Sequence, residues 1–293
     1  MLDRSDILAR SHLLLGPAEA ALRARLASAP EDLAALWRLA GVLRQRGDLA
    51  GAAEAARGVL AAEPAHADAA RLLALLDGRP VDPADGIQPS PFALAESFLD
   101  TAEQATLWAE IEAHAASFAD AKVGTAKDQG AQVRTDRRES KVLLEDAFPA
   151  TAERFRTRVP ALARSAWEAR GLDPVDVSRV EFLLSVHLDG GFFKVHQDHS
   201  REGKPSTRLV TFVYYLHRHP KRFEGGDLLL LDTDLARGRF GSEYTRITPD
   251  DGRLVLFPSP YYHQVTPVTS KADDLMDGRF AVTGWLHGPA SDS

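Results

Sequence analysis

The stretch GGFFKVHQDHS, residues 190–200, decides how this chain is read, together with FPSPYYHQVTPV at 257–268. Residues two apart on an extended strand project from one face, so His196 and Asp198 can touch a single ion while Gln197 points elsewhere. His263 joins them only if the chain folds back and lays a second strand beside the first, as a closed antiparallel barrel or jelly roll does. Two imidazoles and one carboxylate on one side of an ion leave its opposite positions open. That arrangement suits non-haem Fe(II), whereas a structural zinc site is closed and usually built with thiolates. The chain contains no cysteine.

An H-x-D tripeptide also occurs in ordinary polar turns, so its neighbours matter. RLVTFVYYLH (208–217), EGGDLLLLD (224–232) and DGRLVLFPSP (251–260) follow it, each a β-rich run bounded by Gly, Pro or Asp. They read as consecutive strands of one sheet-rich core.

From about Phe92 to Gly288 the chain resembles the prolyl 4-hydroxylase branch of the Fe(II)- and 2-oxoglutarate-dependent dioxygenases. The motifs fall in order: PFALAESFLD at 91–100, RRES at 137–140, GGFFKVHQD, VTFVYYL, GGDL, HQVTPV and GRFAVTGWL at 278–286. The resemblance implies a double-stranded β-helix, a jelly roll flanked by helices, with His196, Asp198 and His263 as metal ligands. It implies Fe(II), 2-oxoglutarate as cosubstrate and O2, with ascorbate as an optional reductant. The reaction implied is hydroxylation of a C–H bond, with succinate and CO2 released. Related halogenases replace the carboxylate ligand with a small residue, so the retained Asp198 points to hydroxylation.

The resemblance also assigns the far carboxylate of the cosubstrate to a basic residue on the strand after the second histidine. Arg279 matches, and a guanidinium fork can give a carboxylate two parallel hydrogen bonds. It lies sixteen residues after His263, further than is usual in the family, with SKADDLMD inserted between. Lys271, in that acid-rich insertion, is the competitor, and the insertion is expected to bulge near the site mouth. Tyr215 is a candidate for the same carboxylate; its plainer reading is a core aromatic. His187, nine residues before His196, stands where relatives commonly carry a Tyr facing the cosubstrate. If it faces the carboxylate, its protonation would make binding depend on pH near neutrality; the plainer reading is a hydrogen-bonded structural histidine. His199 is out of phase with the metal face, His217 and His219 read as a solvated basic turn, Asp227 as a strand-entry residue and Arg208 as a surface position.

Residues 1–80 read as an all-helical module rich in Ala, Leu and Arg. Within it, residues 33–67 resemble a tetratricopeptide repeat: Leu36, Leu39, Ala40 and Leu43 on one helix, Gly47-Asp48 at the turn, Ala52, Ala56 and Val59 on the next, then Pro64. Such repeats hold an extended peptide or join two copies of a chain. Collagen-type prolyl hydroxylases also carry a repeat-like peptide-binding region, so a protein or peptide substrate is expected. The Pro-, Gly- and Asp-rich residues 81–91 form the linker, and 92–293 the oxygenase domain. Within the latter, 99–121 and 144–171 read as helices bracketing a polar loop around 122–138 that folds over the substrate.

The net charge of −7 and the absence of a basic stripe exclude a nucleic-acid partner. No apolar run spans a bilayer, and the first residues are unlike a secretory signal, so a cytoplasmic protein is expected. Two other functions fit less well: hydroxylation of a small molecule such as a free amino acid or natural-product intermediate, and a repeat-based interaction protein with an inactive oxygenase core.

Overall fold

The computed structural model describes residues 3–81, 86–121, 136–199, 207–271 and 274–289. Five helices come first: α1 (Arg4–Arg10), α2 (His12–Ser28), α3 (Leu33–Arg46), α4 (Leu49–Ala62) and α5 (Ala67–Leu76). Side-chain caps set several of their starts. Asp32 accepts from Ala35 N–H at the head of α3, and Asp48 from Gly51 N–H at the head of α4. Between them Gly47 takes φ 87°, the left-handed conformation that ends α3 without steric cost.

Two more helices, α6 (Thr101–Ala113) and α7 (Pro149–Ala169), accompany the strands. The strands are β1 (Ala93–Ala95), β2 (Ala119–Asp120), β3 (Arg138–Glu139), β4 (Lys141–Leu144), β5 (Arg179–His187), β6 (Phe192–His196) and β7 (Arg208–Leu216). They continue with β8 (Phe223–Gly225), β9 (Leu228–Asp234), β10 (Arg239–Ile247), β11 (Leu254–Pro258), β12 (His263–Val265), β13 (Val268–Ser270) and β14 (Arg279–His287). One sheet has the order β1-β11-β7-β14-β5-β4-β2 and the second β10-β9-β12-β6-β3, while β13 pairs with β8. Every pairing among these is antiparallel. The result is the expected α+β class, a jelly-roll sandwich flanked by helices.

Alternation along β7 shows how the layers form. Val210, Phe212, Tyr214 and Leu216 pack with Leu107 and Ile111 of α6 and Phe155, Val159 and Trp167 of α7. Val213 and Tyr215 face the other way, toward Leu228 and Leu230 of the second sheet. A strand buried on both faces needs apolar residues at nearly every position, which is why RLVTFVYYL reads as a continuous run. The early helices belong to that same inner cluster through Ala40, Ala53, Ala56, Leu72 and Leu73. Arg44 of α3, bonded to Asp232 of β9 and to Thr245 of β10 at 2.9 Å, adds a buried polar tie between helices and barrel.

Three local expectations change. The helix expected over 99–121 starts at the Asp100–Glu103 capping box but stops at Ala113, because Phe118 turns into the core and Ala119–Asp120 pair with β4. The helix expected from 144 begins only at Pro149, a residue that favours the first helical turn, since Lys141–Leu144 pair with β5. Part of the insertion before Arg279, residues 272–273, lies outside the described residues; of the rest, Leu275–Asp277 form a 3₁₀ turn capped by Asp274, and Met276 is buried in the cluster between sheet and helices rather than bulging outward. Most of the loop expected to fold over the substrate, 122–135, lies outside the described residues. No helix among the described residues is long and apolar enough to cross a membrane.

Candidate metal and cosubstrate site

β6 and β12 lie side by side with His196 directly opposite His263. Asp198, two residues past the end of β6, is placed by its own N–H, which donates to Ser259 carbonyl at 3.2 Å. Its carboxylate lies 3.6 Å from His196 Nε2 and 3.4 Å from His263 Nε2. One ligand atom from each residue falls within 4.8 Å of the others, the one such group among the described residues. A single ion with bonds of about 2 Å fits among them.

The ring orientations are fixed from behind. His196 Nδ1 bonds the Lys194 carbonyl at 2.7 Å and His263 Nδ1 the Tyr261 carbonyl at 3.0 Å, which requires a proton on each Nδ1 and leaves each Nε2 lone pair for an ion. Phe193 stacks on His196 with centroids 3.5 Å apart, and Phe257 meets His263 edge-on at 4.8 Å. Burial and the neighbouring His263 push His196 down to about 3, so its imidazole is neutral at physiological pH, as a ligand must be. Burial raises the Asp198 carboxyl, but His263 and His196 outweigh it and hold the group below the usual carboxylate range. Thr211 hydroxyl donates to Asp198 Oδ2 at 2.9 Å and fixes its plane.

A second group of polar atoms lies deeper between the sheets. Arg279 of β14 is opposite His187 of β5, and Ala281, two residues on, is opposite Tyr215 of β7. The Arg279 guanidinium lies 4.9 Å from the Tyr215 ring centroid, and its Nε donates to Gly226 carbonyl at 2.8 Å. Gly226, at φ 68°, leaves room for this approach; a Cβ there would sit 2.9 Å from Arg279 Cδ. Arg279 Nη2, Tyr215 hydroxyl and His187 Nε2 are all buried without a hydrogen-bond partner among the described residues. Burial pushes the Tyr215 phenol up to about 12, so it keeps its proton and can donate. Burial and the charges of Arg279 and Arg138 push His187 well below its ordinary value, so it stays neutral and the expected pH dependence near neutrality is not supported. One fixed cation with two neutral polar groups, all unsatisfied, fits a carboxylate.

Arg138 was not singled out from the sequence beyond its place in RRES. β3 pairs with β6 and sets Arg138 opposite Phe193, its guanidinium 5.0 Å from that ring, with Nε donating to Ser140 at 2.7 Å. Burial lowers it to about 10 while the Asp198 charge acts in the opposite sense, so it is a cation within electrostatic reach of the metal set. Trp285 was missed as well: its buried Nε1 lacks a partner among the described residues, and Arg208 covers its ring at 3.7 Å while pairing with Glu181 at 2.8 Å.

The remaining candidates lie elsewhere. His199 bonds the Arg208 carbonyl at 3.1 Å, away from the metal set. His217 is buried against Phe223 rather than solvated, because Asp251 draws its N–H inward; only His219 is exposed. Asp227 pairs with buried Arg246, whose Nε reaches the Gln45 carbonyl at 2.7 Å and so ties the glycine turn to α3. Lys271 is exposed.

Residues 182–287, a stretch that holds both histidines, Asp198 and Arg279, match the family model of the 2OG-Fe(II) oxygenase superfamily. A PKHD-type hydroxylase of Synechocystis sp. is 31% identical over 151 residues, covering 51% of this chain and 50% of that protein. A PKHD-type hydroxylase of Hyphomonas neptunium is 30% identical over 114 residues, covering 38% and 44%. The chain thus spans about half the length of these relatives. Among solved structures, a Pseudomonas putida prolyl-4-hydroxylase superposes with a TM-score of 0.48 at 18% identity, over 68% of this chain and 94% of that one.

Proposed function

We propose that this chain is an Fe(II)- and 2-oxoglutarate-dependent hydroxylase acting on a prolyl or other residue of a protein or peptide. The observation that carries the reading is the placement of His196, Asp198 and His263 between the same two sheets as three unsatisfied polar groups, on Arg279, Tyr215 and His187. With Fe(II), 2-oxoglutarate and O2 bound, the cofactors supply the oxidant that removes hydrogen from an unactivated C–H bond, and succinate and CO2 leave.

The protein's part is to bind, orient and shield. His196 and His263, held through Nδ1, present fixed Nε2 atoms, and Thr211 keeps Asp198 aimed at the same point. Arg279 takes the far carboxylate of the cosubstrate, with Tyr215 hydroxyl and His187 Nε2 completing its shell. Exposed Lys271 is less suited than buried Arg279, because a fork already held by Gly226 loses little freedom on binding. No side chain needs to act as a nucleophile.

Residues 1–80 serve in this reading as a tetratricopeptide-like module that holds the polypeptide. A groove of about 780 Å³ between α2, α3, α5 and the second sheet, lined by Trp37, Arg38, Arg71 and Ile87 among others, supports that role. The experiment is turnover of 2-oxoglutarate to succinate in the presence of proline-containing peptides, with products read by mass spectrometry. Gain of one oxygen atom by a peptide, lost in Asp198→Ala, is expected. Oxidation of free amino acids but of no peptide would favour the small-molecule reading.

A further inference from the structure

We propose that Ser5, on α1, is a positioning residue for the metal site, an inference that rests on the oxygenase reading above. β12 and β6 shift register just after His263 meets His196. Beside that shift, Val195 N–H donates to Ser5 Oγ at 3.2 Å, across 190 positions of sequence. The peptide unit between Lys194 and Val195 is planar, so its two polar ends turn together. Its carbonyl holds His196 Nδ1 at 2.7 Å and its N–H is held by Ser5. Rotation of that plane would misalign the Nε2 lone pair of His196.

The same hydroxyl donates to Gln264 Oε1 at 2.8 Å. Gln264 is buried and directly follows His263 in β12. Ser5 thus uses its donor and an acceptor position to tie the two ligand-bearing strands together at residues adjoining both histidines.

The helix that carries Ser5 is itself firmly seated. Lys194 Nζ lies 2.7 Å from Asp3 and 3.4 Å from Asp6, the two residues of the capping box that starts α1. Leu8 is buried with Leu229, Leu231 and Tyr244 on the outer face of the second sheet, and the Arg4 guanidinium covers Phe240 at 4.4 Å. Ser11 hydroxyl bonds Tyr244 hydroxyl. None of these contacts touches the metal face; all press on the back of the strands that carry it. Groups that orient a ligating histidine typically change metal affinity about 10- to 100-fold when removed.

The test is Co(II) titration of the metal-free full chain, followed by visible absorption, with thermal melting measured alongside. Ser5→Ala is expected to weaken Co(II) affinity about tenfold while melting changes little, and Ser5→Thr to restore it. Lys194→Met, which releases α1 but keeps the Lys194 carbonyl, is expected to weaken affinity in the same direction. Unchanged affinity in Ser5→Ala, or a loss that Thr does not restore, overturns the proposal. Should Ser5→Ala fail to fold, Lys194→Met decides: weaker affinity at unchanged melting supports it, and unchanged affinity overturns it. A wild-type chain that binds no Co(II) overturns the oxygenase reading itself, a result distinct from wild-type binding with an indifferent Ser5.

Discussion

Arg279 and His187 stand directly opposite each other on paired strands, both buried, with Arg279 Nη1 3.5 Å from His187 Nδ1. Burial, and then the permanent cation beside it, keep the His187 imidazole neutral, so the pair carries one positive charge rather than two. Charge and shape at this spot are then set for one carboxylate.

Replacing Arg279 with Lys keeps the charge but removes the fork and its bond to Gly226. We expect cosubstrate affinity to fall about 10- to 100-fold with metal affinity unchanged, the equivalent of one or two charge-assisted hydrogen bonds. Tyr215→Phe should cost several-fold, and it should leave the stability of the cosubstrate-free protein unchanged or slightly higher, since the hydroxyl has no partner there. Isothermal titration with 2-oxoglutarate under anaerobic conditions measures both.

Gly226→Ala should disturb the same residue from the other side. At φ 68° the new side chain is strained, and its Cβ meets Arg279 Cδ at 2.9 Å. Stability should drop by about 1–3 kcal/mol, and cosubstrate affinity should fall with it. Denaturant melts and titration of one preparation would show both; a stability loss with wild-type affinity would mean that Arg279 does not depend on the glycine turn.

The pH dependence follows from His187 and His196. In the unfolded chain His187 takes up a proton near pH 6.5, whereas in the folded protein it does so only well below that. The unfolded state therefore binds more protons in acid, so this contribution to stability is complete above the ordinary histidine range and declines as pH falls below it. His196, pushed down to about 3, acts in the same sense in metal-free protein. Melting temperature of the metal-free chain should fall between about pH 7 and 5, less steeply in His187→Gln. Equal slopes would contradict the neutral, buried imidazole.

Arg44 and Asp232 form a buried pair between α3 and β9, with side chains 8% and 10% exposed. Arg44→Ala leaves an uncompensated carboxylate and should cost about 3–5 kcal/mol, while Arg44→Met with Asp232→Leu should recover most of it. Because helices and barrel share one apolar cluster, wild-type protein should melt in a single transition. Two separate transitions by calorimetry would mean that the helices fold on their own.

The grouping of His196 with Asp198 was legible because residues two apart in extended backbone share a face, and the bond from Asp198 N–H to Ser259 carbonyl carries that placement past the end of β6. His263 and Arg279 were legible through motif order and β-rich context. Arg138 was not, since its approach depends on a two-residue strand, β3, pairing with β6 across more than fifty positions. Ser5 was still less visible, because nothing in RSDILAR indicates which strand the helix will meet. The burial of His217 was misread for a related reason: a turn rich in His, Lys and Arg looks solvated until Asp251, from a distant loop, draws its backbone inward.

The most direct measurement is anaerobic visible spectroscopy of metal-free protein titrated with Fe(II) and then 2-oxoglutarate, repeated with His196→Ala and Arg279→Ala. A metal-to-cosubstrate charge-transfer band is expected in the wild type, absent without His196 and requiring more cosubstrate without Arg279. A wild-type protein that shows no band, or a band indifferent to His196, would contradict the assignment of the site.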